Sequence, residues 1–414
     1  MLARDGADRS VVAATGIRDR LAPGDVAVRA LATLGGAVLL GVAAMACFHL
    51  VANAPERAID FRTGVWLPAV DILHGRSPYA AGGVLRLQDG APSIYPPFIA
   101  LISIPLGLVS FAVASVIWSV ILILALALTL WVIGVRDWRL YGGVFLLPSV
   151  VDAVGIGQVE MLLVLALALV WRCRDRWLIA AAALGAALAV KPLMLPVVAW
   201  LLITRRVKAS LASVVIALGL AIGSWAVIGF AGMRSYPALL QAWDRIYGVC
   251  GVSMSALALK LGAPDILASV LPLAAAAGLL ACAWRLSRRL DGDRRSFAAA
   301  VSAVFVAAPI VWSHYLVFLI VPLALVAPRL DWRWLLLAAP WAFGAETSSK
   351  MYLAHAGGRV VPTASFVGSN SYLVLVEYLL LTFVIAFLTM RAGAPRGSPG
   401  VCDNSGRTRS LGAI

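Results

Sequence analysis

The sequence predicts an all-α protein that crosses a membrane many times, built as one helical domain. Of its 414 residues, 62% are hydrophobic and only 13% charged, against about half and about a quarter in soluble globular chains. The mean hydropathy is +0.93, and the apolar residues form long runs separated by short polar gaps. Basic residues collect in those gaps, as they do in cytoplasmic loops.

A spanning helix needs about 20 apolar residues, fewer when it is sheltered inside a bundle. Spans are expected at 30–50, 111–134, 141–156, 158–171, 177–190, 192–204, 209–229, 264–284, 297–312, 314–327, 332–344 and 371–390, about twelve in all. Residues 1–29 form a charged cytoplasmic segment, 30–391 the membrane domain, and 392–414, rich in Gly, Ser, Pro and Arg, a disordered cytoplasmic tail. The first run ends in Val51-Ala52-Asn53-Ala54, which mimics a signal-peptidase site. That run is too long for a signal-peptide core of about 7–15 residues, so an uncleaved span is expected.

Placing the basic gaps at Arg136–Arg139, Arg172–Arg176, Arg205–Lys208, Arg285–Arg295 and Arg329–Arg333 inside satisfies the positive-inside rule. The apolar piece Pro97 to Val109 is short, and parity makes it re-entrant or interfacial. The external side then receives a first loop over 51–96, turns near 152–160, at Lys191 and at His314, and loops over 230–263 and 345–370.

Several function classes fall away. The net charge is +14, but no basic stripe interleaved with aromatics lies outside the spans, so nucleic acid is not an expected partner. The five cysteines include no CxxC pair, and neither disulfides nor structural zinc are indicated. Walker A, GxGxxG and HExxH patterns are absent from plausible contexts. No soluble α/β domain is present to hold a nucleotide sugar, so a sugar used on the outer face must arrive already attached to lipid. A transporter or lipid-carrier flippase is the rival class, but internal repeats of the kind transporters show are not visible.

Ionisable residues at span ends are costly and therefore functional candidates. Asp60 stands just beyond the first span, either as a general base for an acceptor hydroxyl or as a loop acid paired with Arg57 or Arg62. Asp71 and His74 lie three apart on a helix face opened by Trp66, but two ligands are too few for a metal site, and a surface pair is expected. Tyr95-Pro96-Pro97-Phe98 opens the short apolar piece. Asp152, Gln158 and Glu160 flank Gly155-Ile156-Gly157, either holding sugar hydroxyls or solvating a tight turn. Lys191 at a helix junction suits a phosphate or snorkels to the interface. His314 donates to a leaving phosphate or sits hydrogen-bonded in the bundle. Ser253 and Ser255 are sugar contacts or helix caps.

The order of these pieces resembles glycosyltransferase family 87, of the GT-C type, over roughly residues 55–330. That family includes mycobacterial polyprenol-phosphate-mannose-dependent mannosyltransferases and an arabinofuranosyltransferase. Its catalytic aspartate is matched by Asp60 and its YPP turn by Tyr95, Pro96 and Pro97. Its GQ(I/V)N pattern reads Gly157-Gln158-Val159-Glu160, with Glu for Asn. Its lysine junction reads Lys191-Pro192-Leu193, closer to the arabinofuranosyl branch. Its WxHH reads Trp312-Ser313-His314-Tyr315, with one histidine lost. The mannosyl branch often has Asn-Gln-Ser before the eighth span, where this chain has Gly251-Val252-Ser253-Met254-Ser255.

The resemblance implies a GT-C bundle in the bacterial inner membrane with its active site facing outward. It implies transfer of mannose, or alternatively arabinofuranose, from a polyprenyl-phosphate donor to a lipid or glycolipid acceptor. Asp60 is the expected catalytic base. Lys191 and His314 are expected at the donor phosphate, and Tyr95, Gln158, Glu160 and Arg62 at the sugar or acceptor. No metal or other cofactor is expected.

Overall fold

In lipid an unpaired backbone amide has no water to turn to, so long apolar runs fold as helices. A computed structural model describes residues 23–79, 93–247, 251–289, 291–343, 353–356, 359–362 and 372–391. The expected tail over 392–414 and the N-terminal segment up to residue 22 lie outside these described residues, as do 80–92 of the first loop.

Among the described residues, five helices are long and apolar enough to cross a membrane: Ala30–Ala52, Phe111–Ile133, Val207–Val227, Asp265–Ser287 and Leu373–Arg391. A sixth crossing results if Trp138–Phe145 and Pro148–Ile156 count as one span, bent by 63°. The bend falls just before Pro148, whose ring nitrogen cannot donate to the preceding turn. Outward faces carry exposed apolar side chains such as Leu31, Phe48, Leu124, Val215 and Leu273, which suits contact with lipid.

Length and apolarity therefore support five or six crossings among the described residues, short of the expected twelve. Several of the remaining expected spans are short apolar helices, Trp177–Val190, Pro192–Ile203 and Ser313–Val326. The stretch 332–344 is broken into Trp332–Trp334, Leu335–Ala338 and Pro340–Phe343. Burial is the physical reason that short helices suffice: Gly292–Ala307 is buried over nearly its whole length, and a helix wrapped in other helices need not match the lipid thickness. One antiparallel hairpin, Leu353–Ala356 with Arg359–Pro362, is the exception to helix among the described residues.

Two helices set the frame of the site. Glu160–Arg172 runs away from the Gly157 turn, and Trp177–Val190 returns to Lys191. They pack against each other, and at 1.5 Å per residue each is about 20 Å long. At their far end Arg206 donates to Asp175 at 2.8 Å and to Asp293 at 2.5 Å, and Arg174 donates to Asp293 at 3.2 Å. Three of the basic gaps expected on one side thus meet. The other two meet as well, where the Leu330 amide donates to Asp137 at 3.1 Å.

Beyond the first span the chain makes four short helical pieces: Ala54–Arg57, Ile59–Phe61, a π-helical turn over Arg62–Trp66, and Leu67–Leu73. The apolar piece after Pro96 is two helices, Pro97–Ile102 and Ile104–Gly107, broken at Ser103. Neither is long enough to cross a bilayer.

Candidate active site

Asp60 is held by its neighbour. Phe61 is fully buried and stacks on Trp118, with ring centroids 4.9 Å apart and planes 17° from parallel. The Trp118 indole N–H donates to the Gly157 carbonyl at 2.8 Å. One tryptophan therefore grips both the turn that carries Asp60 and the turn that carries Gln158.

The Gly157 turn is specified locally. Pro148–Ile156 ends at Gly157, which adopts the left-handed conformation with φ 78°, and the Gln158 amide closes back on the Ala153 carbonyl at 2.8 Å. A side chain at Gly157 would collide with Phe61, since its Cβ would lie 2.6 Å from the Phe61 Cβ. Glycine is thus required for both the backbone angle and the close approach.

From this turn Gln158 reaches Asp60. Its amide nitrogen donates to Asp60 Oδ2, and its carbonyl oxygen accepts from the Tyr95 hydroxyl at 2.7 Å. Burial raises the Asp60 pKa to about 6; His314 and the Gln158 hydrogen bond pull it down, while Glu160 and Asp152 push it up. Tyr95 is itself buried, and burial lifts its hydroxyl well above the ordinary tyrosine range.

A second group of residues adjoins the first. Lys191 Nζ donates to Glu160 Oε1 and to the Tyr315 hydroxyl, each at 2.6 Å. It also lies over the rings of Tyr315 at 4.5 Å and Tyr95 at 5.4 Å. His314 is buried, with Nδ1 3.4 Å from Asp152 Oδ2 and Nε2 4.0 Å from Glu160 Oε1. Neither ring nitrogen has a hydrogen-bond partner among the described residues, and neither has Glu160 Oε2. Ser313 donates to Asp152 Oδ2 at 2.5 Å.

The structure thus brings together Asp60, Tyr95, Gln158, Glu160, Lys191 and His314. It does not bring in Arg62, which is exposed with its guanidinium over the Phe111 ring at 5.2 Å. Asp71 pairs with Arg76 at 2.9 Å, and the His74 ring bonds the Val70 carbonyl at 2.7 Å, so the pair is a surface feature. Ser253 caps the helix Met254–Lys260, accepting from the Ala256 amide at 3.0 Å. Among the described residues no group of three or more His, Cys, Asp and Glu side chains is arranged to hold a metal.

Two contributors escape the sequence reading. Trp118 lies inside an apolar run with nothing to mark it. Tyr315 stands in the WSHY motif at the position of the family's second histidine. Asp152, expected either to hold sugar hydroxyls or to solvate a tight turn, accepts from Ser313 and lies beside His314. A cavity of about 440 Å³ is lined by Tyr79, Phe230, Gly232, Met233, Arg234 and Ser235. It connects to the cluster through Tyr79, whose hydroxyl donates to the Tyr95 carbonyl.

Chemically, the arrangement offers a carboxylate that ionises near pH 6 beside a lysine and a buried imidazole with free ring nitrogens. One end can accept a proton while the other meets a developing anion.

Comparison with known proteins points to one family. The family model for glycosyltransferase family 87 matches residues 94–313. That stretch includes Tyr95, Gln158, Glu160 and Lys191, stops one residue before His314, and leaves out Asp60. The chain is 30% identical over 308 residues to a polyprenol-phosphate-mannose-dependent alpha-(1-2)-phosphatidylinositol pentamannoside mannosyltransferase of Mycolicibacterium smegmatis. The match covers 64% of this chain and 73% of that protein. No solved structure matches the chain.

Proposed function

The chain belongs to glycosyltransferase family 87, and from that premise we propose that it moves mannose from a polyprenyl-phosphate donor to a lipid or glycolipid acceptor. The reaction takes place on the external face of the inner membrane, within a GT-C type bundle. The observation that carries the proposal is the convergence of Asp60, Gln158, Glu160, Lys191 and His314 from separate parts of the chain.

In a single displacement, Asp60 takes the proton of the acceptor hydroxyl as its oxygen attacks the anomeric carbon. The bond from that carbon to the phosphate oxygen breaks, and the lipid phosphate leaves with the bonding pair. Lys191 has one N–H beyond those given to Glu160 and Tyr315, and it points this cation at the departing phosphate. His314 offers a ring N–H to the same oxygen. The unpaired Oε2 of Glu160 meets a sugar hydroxyl. The cavity beside Tyr79 and Arg234 receives the acceptor head group.

Purified protein should be given synthetic polyprenyl-phosphate mannose, with polyprenyl-phosphate arabinofuranose in parallel because Lys191-Pro192-Leu193 reads closer to that branch. A membrane lipid extract serves as acceptor. Mannose transfer by the wild type, lost in Asp60→Asn, is the expected result. Transfer from neither donor by folded protein would sink the proposal and favour a transporter of lipid-linked sugars.

A further inference from the structure

Tyr95 and Gln158 are placed among sugar contacts by their motifs, but their polar atoms are largely committed to the protein. Both side chains are buried, at 4% and 6% exposure. The Tyr95 hydroxyl is given to Gln158 Oε1, and one Gln158 N–H is given to Asp60.

We propose that Gln158 is a positioning residue for the base, and that Tyr95 sets the orientation of its amide so that an N–H, not the oxygen, faces Asp60. The proposal rests on Asp60 being the base of the transfer reaction.

The amide ends are nearly equal in shape, so only their partners decide which way the group faces. An ionised carboxylate only accepts and thus selects the N–H end. The outward carbonyl then needs a donor, and the Tyr95 hydroxyl supplies it at 2.7 Å. When Asp60 has taken the acceptor's proton, its new O–H donates, and the preference of the amide reverses. The chain Tyr95–Gln158–Asp60 therefore favours the ionised base before each turnover.

Both ends of the chain are fixed. The Tyr95 ring lies against Gly64, where an added Cβ would come 2.7 Å from its Cε2. The backbone beside it is pinned by Tyr79 donating to the Tyr95 carbonyl and by Tyr236 donating to the Ile94 carbonyl at 2.7 Å. At the other end Trp118 holds the Gly157 turn and stacks on Phe61. A side chain reaching for a varied sugar would not need such anchoring, whereas one that must meet a carboxylate at fixed angle does.

Asp60 also feels His314, Glu160, Asp152, Tyr95 and Tyr315. A useful variant must leave those charges alone. Tyr95→Phe and Gln158→Met both do so, because burial keeps the Tyr95 hydroxyl neutral throughout the assay range.

The test is the pH dependence of kcat/KM for mannose transfer by wild type, Gln158→Met, Tyr95→Phe and Asp60→Asn. Losing the amide donor should move the acidic limb of Gln158→Met upward by about one pH unit and lower kcat at least tenfold, with both KM values within about twofold of wild type. Tyr95→Phe should move the limb the same way by less. A rise in acceptor or donor KM with an unmoved limb would overturn the proposal and return both residues to sugar binding. If Gln158→Met fails to fold, Tyr95→Phe decides alone, since it removes one oxygen and keeps the packed ring. Asp60→Asn separates the two levels. Full transfer by that variant defeats the assignment of the base itself, whereas an inactive Asp60→Asn with unmoved limbs elsewhere defeats only the positioning role.

Discussion

The indole N–H of Trp118 donates to the carbonyl of Gly157 at 2.8 Å, in the middle of an otherwise apolar contact. Through that bond, and through its stack on Phe61, Trp118 keeps Asp60 and Gln158 in register. Trp118→Phe should keep most of the stacking and lose the bond. The expected cost is about 1 kcal/mol of stability, with roughly tenfold lower transfer, read from melting temperature in detergent and from initial rates.

Gly157→Ala should be worse. The residue would have to hold φ near 78° and push its Cβ into Phe61. A left-handed non-glycine position alone costs about 1–3 kcal/mol. Both melting temperature and transfer should fall below those of Trp118→Phe, and equal behaviour would show that the turn has room to relax.

Asp60 must be ionised to accept a proton, and its pKa is raised to about 6 by burial, against the opposing pull of His314 and Gln158. Mannose transfer should therefore hold steady above about pH 7 and fall tenfold per unit below about 6. Asp60→Asn should lower the plateau by about 10²–10⁴-fold. A flat profile from pH 5 to 8 would remove Asp60 from the proton-transfer step.

The same shift predicts a stability effect of opposite sense. The folded protein holds the Asp60 proton more tightly than the unfolded chain, so folding takes up a proton between the ordinary carboxylate value and about pH 6. That contribution to stability is complete at low pH and is lost as pH rises through about 6. Asp60→Asn should thus melt higher than wild type at pH 7.5, and the gap should close towards pH 4. Melting curves of the two proteins across that range test it.

Removing one member of the Lys191–Glu160 pair leaves the other charge stranded. Lys191→Met should cost about 3–5 kcal/mol, because Glu160 is fully buried. Lys191→Met combined with Glu160→Gln should recover much of that loss in melting temperature without restoring transfer. Restored transfer in the double variant would show that the lysine serves structure alone.

Much of this site is legible in the sequence because polar residues are scarce in an apolar chain. Asp60, Gln158, Glu160, Lys191 and His314 stand at the ends of runs that must be helices, and burying such groups costs too much unless they meet partners. Arg62 follows the same rule in sequence but not in space, since the helical turn after Ile59–Phe61 points it at Phe111 instead. Trp118 is illegible for the converse reason: an aromatic in an apolar run looks like lipid-facing filler until its neighbours are known, and Phe61 stands between Asp60 and Arg62 with nothing to mark it as buried. The count of twelve spans is not confirmed on the same ground, because the length a helix needs depends on whether lipid or protein surrounds it. The stretch 332–344 has the composition of a span and is three short pieces.

The bond between Lys191 and Glu160 also bears on how the protein enters the bilayer during synthesis. The helices Glu160–Arg172 and Trp177–Val190 each carry one of these charges at the same end. A lone charged residue opposes insertion, by about 2.5–3.5 kcal/mol at the helix centre, and Glu160 and Lys191 stand at helix ends, where the opposition is smaller. Joined at 2.6 Å, the two ends present lipid with a neutral pair, and the turn at Cys173–Arg176 is short enough to let them meet early. A pair joined in this way suits entry of the two helices as a hairpin, and a long polar insert between them should weaken the membrane insertion of both, which accessibility mapping of the two segments checks.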